Sequence, residues 1–314
     1  NLDSSGKLKD FSIRILARLA KYLSQWQRYH NDDIFSCIIV KIAKTVETIY
    51  SEAEKPLNHK LSDLVDLADA FSLVSGTEIA INPFNGAIDI IAKLFYEGFS
   101  IQSQLISYLP RYLRKLAVVF RKFYEVNKHD SINEALKAIS LYISYEHYQN
   151  KLEDFSIKDL AVLSDAFINW LGENHMLLST IHIADTVIHR HKKGILDFHI
   201  ESLSLLTKAF AVWRDLDVDR KLQEATIAIA DIILNDLKSR FTPYNLQALT
   251  LLSLSFNEWL INGAPTEIPP AIQAIAFNIT LQFVVKVVRG STLEEFGKVA
   301  TELSDFKEYT ECIC

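Results

Sequence analysis

The polar residues with the most suggestive spacing are His182, Asp185 and His189, which follow one another at intervals of three and four positions. On an α-helix, at about 100° per residue, these side chains fall within about 60° of one another. Two imidazoles and a carboxylate are a ligand set that can hold a divalent metal ion. A histidine-rich helix face is also an ordinary solvated surface, and we favour that interpretation over a metal-dependent enzyme.

A second set of polar residues is basic and lies on one side of a single predicted helix. We call it the basic stripe; it lies opposite the apolar residues Leu113, Leu116 and Phe120, and its members are Arg111, Arg114, Lys115, Arg121 and Lys122. Such a stripe can contact phosphates and give a salt-dependent affinity for RNA. It can also meet an acidic protein patch, or simply solvate the helix.

The sequence motifs of common enzymes are absent from the chain. There is no His-Glu-x-x-His, no Cys-x-x-Cys, no Gly-x-Ser-x-Gly and no glycine-rich phosphate loop in the sequence. The acidic clusters at 32–33 and 215–219 precede predicted helices, where carboxylates interact favourably with the helix dipole. We therefore assign no catalytic residue and no cofactor, and we favour a protein that is not an enzyme.

A repeated helical frame carries these candidates. With Leu160 as position zero, apolar residues follow at +3, +7 and +10 and a small residue follows at +4, which is the spacing of one helix face. Successive zero positions are 43 to 49 residues apart, and they are Leu16, Leu64, Leu113, Leu160, Leu203, Leu249 and Phe296. Repetition at this period indicates stacked units rather than one central core.

Position +10 of the frame collects all four tryptophans of the chain. The column reads Trp26, Val74, Phe123, Trp170, Trp213, Trp259 and Phe306. Because each large ring can contribute a large buried area, we predict a buried ladder between neighbouring units. An exposed aromatic row that stacks on a ligand is the alternative.

A second register lies between these helices. An isoleucine followed by Ala or Ser recurs 23 to 27 residues after the zero positions, at Ile42, Ile91, Ile139, Ile183, Ile229 and Ile275. Each unit is thus predicted to hold two helices joined by short loops. The predicted fold is all-α: an α-solenoid with a right-handed superhelix of about six and a half two-helix repeats of 43–49 residues.

Loop signals such as Asn82-Pro83 and Gly194 set the boundaries. We predict tails at 1–10 and 307–314 and a single α-helical repeat domain at 11–306. Its units are 11–55, 56–104, 105–151, 152–195, 196–240, 241–290 and a final helix at 292–306. Because the final helix has no partner in the pattern, we expect the sequence to be a piece of a longer repeat protein.

The repeat length, the Leu-x-x-Leu frame and the segment Ser24-Gln25-Trp26-Gln27 resemble the SKWP-type repeats of effectors secreted by plant-pathogenic bacteria. The proline of that motif follows none of the four tryptophans. More distantly, through Pro243 in the segment 241–245, the chain resembles the octotricopeptide repeats of organellar RNA-processing proteins. The first resemblance implies a helical scaffold with a host-directed interaction, and the second implies RNA binding.

The position two residues after each isoleucine anchor varies in chemistry beside constant packing columns. A recognition surface on the concave side of a solenoid has this pattern, and so does an unselected surface. The predicted partner-binding residues at this position are Lys44, Lys93, Asp185, Asp231 and Phe277, with Leu141 at the same place in the third unit.

Composition narrows the partners and the compartment. A net charge of −6 and a pI near 5.9 argue against a surface built as a whole for nucleic acid. Prolines and amides interrupt the uncharged run 268–285, so we predict a core helix and no membrane span. Three cysteines are too few for a disulfide framework and favour a reducing compartment such as the cytoplasm, in the host cell for a secreted effector.

These features together predict a non-enzymatic helical-repeat scaffold that binds a macromolecular partner. A protein is the favoured partner. RNA binding through the basic stripe and a metal-dependent enzyme at the histidine positions are the alternatives.

Overall fold

A computed structural model describes residues 7–30, 33–52, 60–75, 82–101, 110–170, 173–239, 244–261 and 265–290. All regular structure in these ranges is helical, with twelve α-helices and four short 3₁₀ helices. The predicted final helix at 292–306, with Phe296 and Phe306, and the predicted tail at 307–314 lie outside the described residues. Residues 7–10 of the predicted N-terminal tail form a 3₁₀ helix that packs on the second α-helix.

Each of the six predicted two-helix units contains two α-helices. In chain order they are α1 (Ile13–His30), α2 (Asp33–Glu52), α3 (Leu61–Val74), α4 (Asn85–Ile101), α5 (Pro110–Asn127), α6 (Asp130–Tyr148), α7 (Ile157–Phe167), α8 (Asn174–Lys192), α9 (Ile200–Trp213), α10 (Lys221–Ser239), α11 (Leu246–Leu260) and α12 (Ile268–Gly290). The odd-numbered helices carry the Leu-x-x-Leu frame, and the even-numbered helices carry the isoleucine anchors.

Burial of the two registers explains why these segments are helices. The six described zero-position leucines are at most 2% exposed, and the six isoleucine anchors are fully buried. Position +7 is fully buried in α3, α5, α7, α9 and α11, where it is phenylalanine throughout. Burial of such a side chain stabilises the fold by about 1.5–3 kcal/mol, so an apolar stripe at helical spacing outweighs intrinsic helix propensity.

The chain divides into two compact units, residues 1–182 and 183–314. In the first unit, α1, α3, α5 and α7 pack in chain order as one layer. Helices α2, α4 and α6 pack in chain order as a second layer, and the two layers contact each other. The first unit is therefore built by side-by-side stacking of helix pairs.

The second unit repeats this plan. Helix α9 packs on α11, α10 packs on α12, and α9–α10 and α11–α12 contact each other as pairs. The apolar run predicted to be a core helix lies in α12, where Ile268, Ile275 and Ile279 are buried. Among the described residues, no helix combines the length and the apolar content that a membrane crossing needs.

Side-chain caps begin three of the frame helices, and at α9 the cap is His199, whose Nδ1 accepts a hydrogen bond from the Ser202 backbone N–H at 3.3 Å. The Ser156 hydroxyl begins α7 and accepts a hydrogen bond from the Asp159 backbone N–H at 3.1 Å. Helix α11 is capped by Asn245, whose Oδ1 accepts from the Gln247 N–H at 2.9 Å.

Candidate partner-binding surface

The aromatic column at +10 is buried in every described repeat after the first. Val74, Phe123, Trp170, Trp213 and Trp259 are at most 5% exposed. The Trp170 ring lies 4.7 Å from that of Tyr124, between centroids, on a helix of the preceding repeat. These residues are packing elements, and the alternative of an exposed aromatic row is wrong for them.

Trp26 is the exception in this column, with 58% of its surface exposed. Its ring touches His30 and Phe35, with centroid distances of 5.8 Å and 6.0 Å. The frame residues Leu19 and Leu23 of the same helix are only half-buried. The prediction that the whole column is buried is therefore wrong for α1, because the described helices leave more than half of the Trp26 surface uncovered.

Two cations of the basic stripe pair with carboxylates of α7. Arg114 Nη1 donates to Asp159 Oδ1 at 2.7 Å, and only 24% of the Arg114 side chain is exposed. Arg121 Nη1 donates to the Asp165 backbone oxygen at 2.8 Å and also pairs with the Asp165 carboxylate. Both arginines thus join α5 to the next frame helix of the first unit.

Two further cations of the stripe face the opposite neighbour, α3. Lys115 Nζ lies 2.5 Å from Asp69 Oδ2. Lys122 Nζ donates to the Ser72 backbone oxygen at 2.7 Å and to Ser75 Oγ at 2.9 Å, and burial lowers the pKa of Lys122. Four members of the stripe therefore take part in contacts between helices, which leaves Arg111 exposed above the Tyr112 ring.

Two of the ion pairs between repeats share one register. Lys21 at frame position +5 of the first repeat donates to Asp66 at +2 of the second repeat, at 2.9 Å. Asp69 at +5 of the second repeat pairs with Lys115 at +2 of the third. The same two positions meet in both cases, with the charges exchanged. Sequence reasoning missed this pattern, because the repeat columns show which residues are equivalent and not which positions of neighbouring repeats meet.

The three candidate metal ligands, His182, Asp185 and His189, have different surroundings. His182 is buried, and its ring stacks on that of His147 with a centroid distance of 4.2 Å and an angle of 9°. Asp185 Oδ1 accepts a hydrogen bond from Lys221 Nζ at 3.0 Å, and this bond raises the pKa of Lys221. His189 is exposed. In the part of the chain that the structure describes, no group of three His, Cys, Asp or Glu residues is placed to hold a metal ion.

The predicted partner-binding positions of the second register all reach the surface. Lys44, Lys93 and Phe277 are exposed, Phe277 by 68%, and Asp185 and Asp231 are half-buried. Lys93 Nζ lies 3.9 Å from Glu97 Oε1, one helical turn away. Leu141 is exposed as well. All six of these positions are exposed or half-buried, whereas the isoleucine two residues earlier in each helix is fully buried.

A cleft of about 490 Å³ lies beside Asp231, between α10 and the segment that follows α8. Asp231 Oδ2 lies 3.4 Å from His191 Nε2, and Asp231 Oδ1 accepts from Asn235 Nδ2 at 3.1 Å. Asp236 also lines the cleft, and its carboxylate accepts a hydrogen bond from the Tyr244 hydroxyl. Leu196 and Phe198 supply apolar lining to the same cleft. The cleft is thus acidic on one side and apolar on the other.

Sequence reasoning did not find this cleft. Its wall depends on the path of the segment after α8. Gly194 in this segment has a φ of +67° and turns the chain, just after the Lys193 backbone N–H donates a hydrogen bond to the His189 backbone oxygen. Gly194 is a loop signal in the sequence, but a loop signal carries no information on which side chains then face α10.

No protein-family model, curated protein or solved structure matches the chain.

Proposed function

We propose that the chain is a non-enzymatic α-solenoid whose two-helix repeats form a right-handed superhelix, and that it is a scaffold for a protein partner. The observation that carries this proposal is the surface position of the second-register residues, which include Lys44, Asp231 and Phe277. Their charges and polarity change along the chain, while the isoleucine anchors beside them stay buried. A surface of varied chemistry on a constant framework suits selective protein recognition.

The cleft beside Asp231 supports a protein partner over a nucleic acid. The carboxylates of Asp231 and Asp236 lie in its wall, and like charge disfavours a phosphate backbone there. A lysine or arginine side chain of a protein would instead gain opposite charge and apolar contact with Phe198. The resemblance to effector repeats supports a host protein as that partner.

RNA binding is the second hypothesis, and it depends on the exposed cation Arg111. Charge reversal at Arg114, Lys115, Arg121 or Lys122 would also remove contacts between helices, so it would confuse loss of binding with loss of structure. Arg111→Glu is the cleaner probe. Loss of single-stranded RNA binding in that variant, at low salt and with unchanged thermal stability, would favour RNA.

The test of the proposal is affinity capture from a eukaryotic host lysate, with and without nuclease. The test variant carries Lys44→Glu, Lys93→Glu and Phe277→Ala; the control variant changes three equally exposed residues elsewhere, Lys158→Glu, Lys238→Glu and Val218→Ala. We expect the unmodified chain and the control to retain the same proteins after nuclease treatment, and the test variant to lose them. Proteins that nuclease releases, or that both variants retain equally, would overturn the proposal.

A further inference from the structure

One side of each of the frame helices α3, α5 and α7 faces the preceding frame helix. Asp66 of α3 and Lys115 of α5, both at frame position +2, pair with a residue of the preceding frame helix. At −1, Asp159 of α7 pairs with Arg114 of α5, and at +9, just after the end of α7, Asn169 donates to Glu125 at 2.7 Å. Positions −1, +2 and +9 therefore lie at the contact with the repeat before.

Positions +6 and +10 lie on the same side and are buried there. Position +6 holds a small or β-branched residue in α3, α5, α7 and α11. These residues are Ala70, Val119, Ala166 and Ser255, and each is at most 4% exposed. Position +10 is buried in the same four repeats. A preceding frame helix thus covers one defined stripe of the helix that follows it.

In α1 the same stripe is open. We call the residues of α1 at these positions the open face. They are, from −1 to +10, Ile15, Arg18, Tyr22, Gln25 and Trp26, and all five are exposed. Tyr22 is 61% exposed at the position where the later repeats bury a small side chain, and Tyr29 one turn beyond Trp26 is 84% exposed. A set of large apolar groups this open on one helix is typical of an interaction site.

The charges of the open face indicate what covers it. Helix α1 carries the exposed cations Arg14, Arg18 and Arg28 and contains no carboxylate. In both described pairs, the residue at +2 meets an opposite charge at +5 of the preceding helix. With Arg18 at +2, the matching occupant has Asp or Glu at its own +5. Two copies of α1 face to face would instead bring the arginines together, which like-charge repulsion opposes.

We propose that the open face of α1 docks an acidic amphipathic helix of a partner protein, in the register in which the repeats of this chain stack on one another. The aromatic rings of Tyr22 and Trp26 supply the apolar contact, and Arg18 pairs with a carboxylate at position +5 of the bound helix. This inference does not rest on the proposed function, because it concerns the frame helices and not the second register.

A helix-locked peptide with the sequence of residues 60–75 is the probe, since α3 presents Asp69 at +5 and carries three carboxylates. Locking is needed because so short a helix is marginal in water. Binding of the labelled peptide to the whole chain is followed by fluorescence anisotropy. We expect the peptide change Asp69→Lys to weaken binding about five- to tenfold, and Arg18→Asp in the protein to restore the affinity of that changed peptide.

Matched variants keep the test interpretable. Tyr22→Ala and Trp26→Ala should abolish peptide binding with thermal stability unchanged, whereas Tyr148→Ala, an equally exposed aromatic residue on α6, should leave binding intact. No peptide binding, or binding without the exchange of charge preference, would overturn the proposal. So would a single-stranded oligonucleotide that binds through Tyr22 and Trp26 in place of the peptide, or self-association of the chain that Tyr22→Ala removes.

Discussion

The indole rings of Trp170, Trp213 and Trp259 are buried, and no described residue accepts a hydrogen bond from their Nε1 atoms. An unmade hydrogen bond at a buried site costs about 1–3 kcal/mol, so the apolar area of each ring must outweigh that cost. Phe123 fills the same frame position without any polar atom. Burial at this position therefore does not require the indole donor.

We expect Trp213→Ala to lower the free energy of unfolding by about 3–5 kcal/mol, because it empties a fully buried site. Trp213→Phe should cost much less, since it keeps a ring and removes the unpaired donor. Trp26→Ala should change stability by about 0.5 kcal/mol or less, because Trp26 is exposed. Urea unfolding of the three variants measures these values. Equal losses at Trp26 and Trp213 would contradict the exposed position of Trp26.

Tyr50 of α2 gives the chain a pH dependence at alkaline pH. Burial, and to a smaller extent the charge of Asp63, raises the pKa of Tyr50 from its ordinary 10.0 to about 12. A raised pKa favours the neutral phenol in the folded state, so this contribution to stability is complete below pH 10.0 and is lost as the pH approaches about 12.

The measurement is the urea midpoint between neutral pH and pH 12, compared with that of Tyr50→Phe. We expect the unmodified chain to lose stability more steeply than the variant above pH 10.0. The comparison is needed because the chain has twelve tyrosines, which titrate in the unfolded state as well. Parallel curves for the two proteins would contradict the assigned role of Tyr50.

At the scale of elements, α5 is held from both sides. Lys115 and Lys122 contact α3, while Arg114 and Arg121 contact α7. The Lys115–Asp69 pair is more than a third exposed on both sides, and such pairs contribute about 0–1 kcal/mol. Their larger effect is on register, because like charges at the same positions would oppose stacking.

The Asp69–Lys115 pair makes this role measurable. We expect Asp69→Lys and Lys115→Asp each to lower stability, and the double variant with the charges exchanged to recover most of the loss. The coupling energy from the double-mutant cycle should be about 0.5–1 kcal/mol and should shrink in about 1 M salt. Strictly additive losses would mean that the two side chains do not interact in solution.

At the scale of the whole molecule, sequence spacing predicted most of the helical plan of the described residues, because burial at 3.6-residue spacing leaves a local signal. Leu160 and Ile183 could be assigned to buried helix faces in this way, and both are buried. The pairing of Arg114 with Asp159 could not be predicted, since it joins residues 45 positions apart whose alignment depends on how the repeats stack. The exposure of Trp26 was missed for the same reason: a column shows which residues are equivalent, and not whether a neighbour covers them.

The exchanged charges at Lys21–Asp66 and Asp69–Lys115 also bear on how the gene can change length. Loss of the unit 56–104 would bring Lys21 opposite Lys115, so the new junction between the two repeats would be repulsive. We expect that deletion to unfold at lower urea than the same deletion carrying Lys115→Asp, which makes the alternating charges a barrier to loss of this unit.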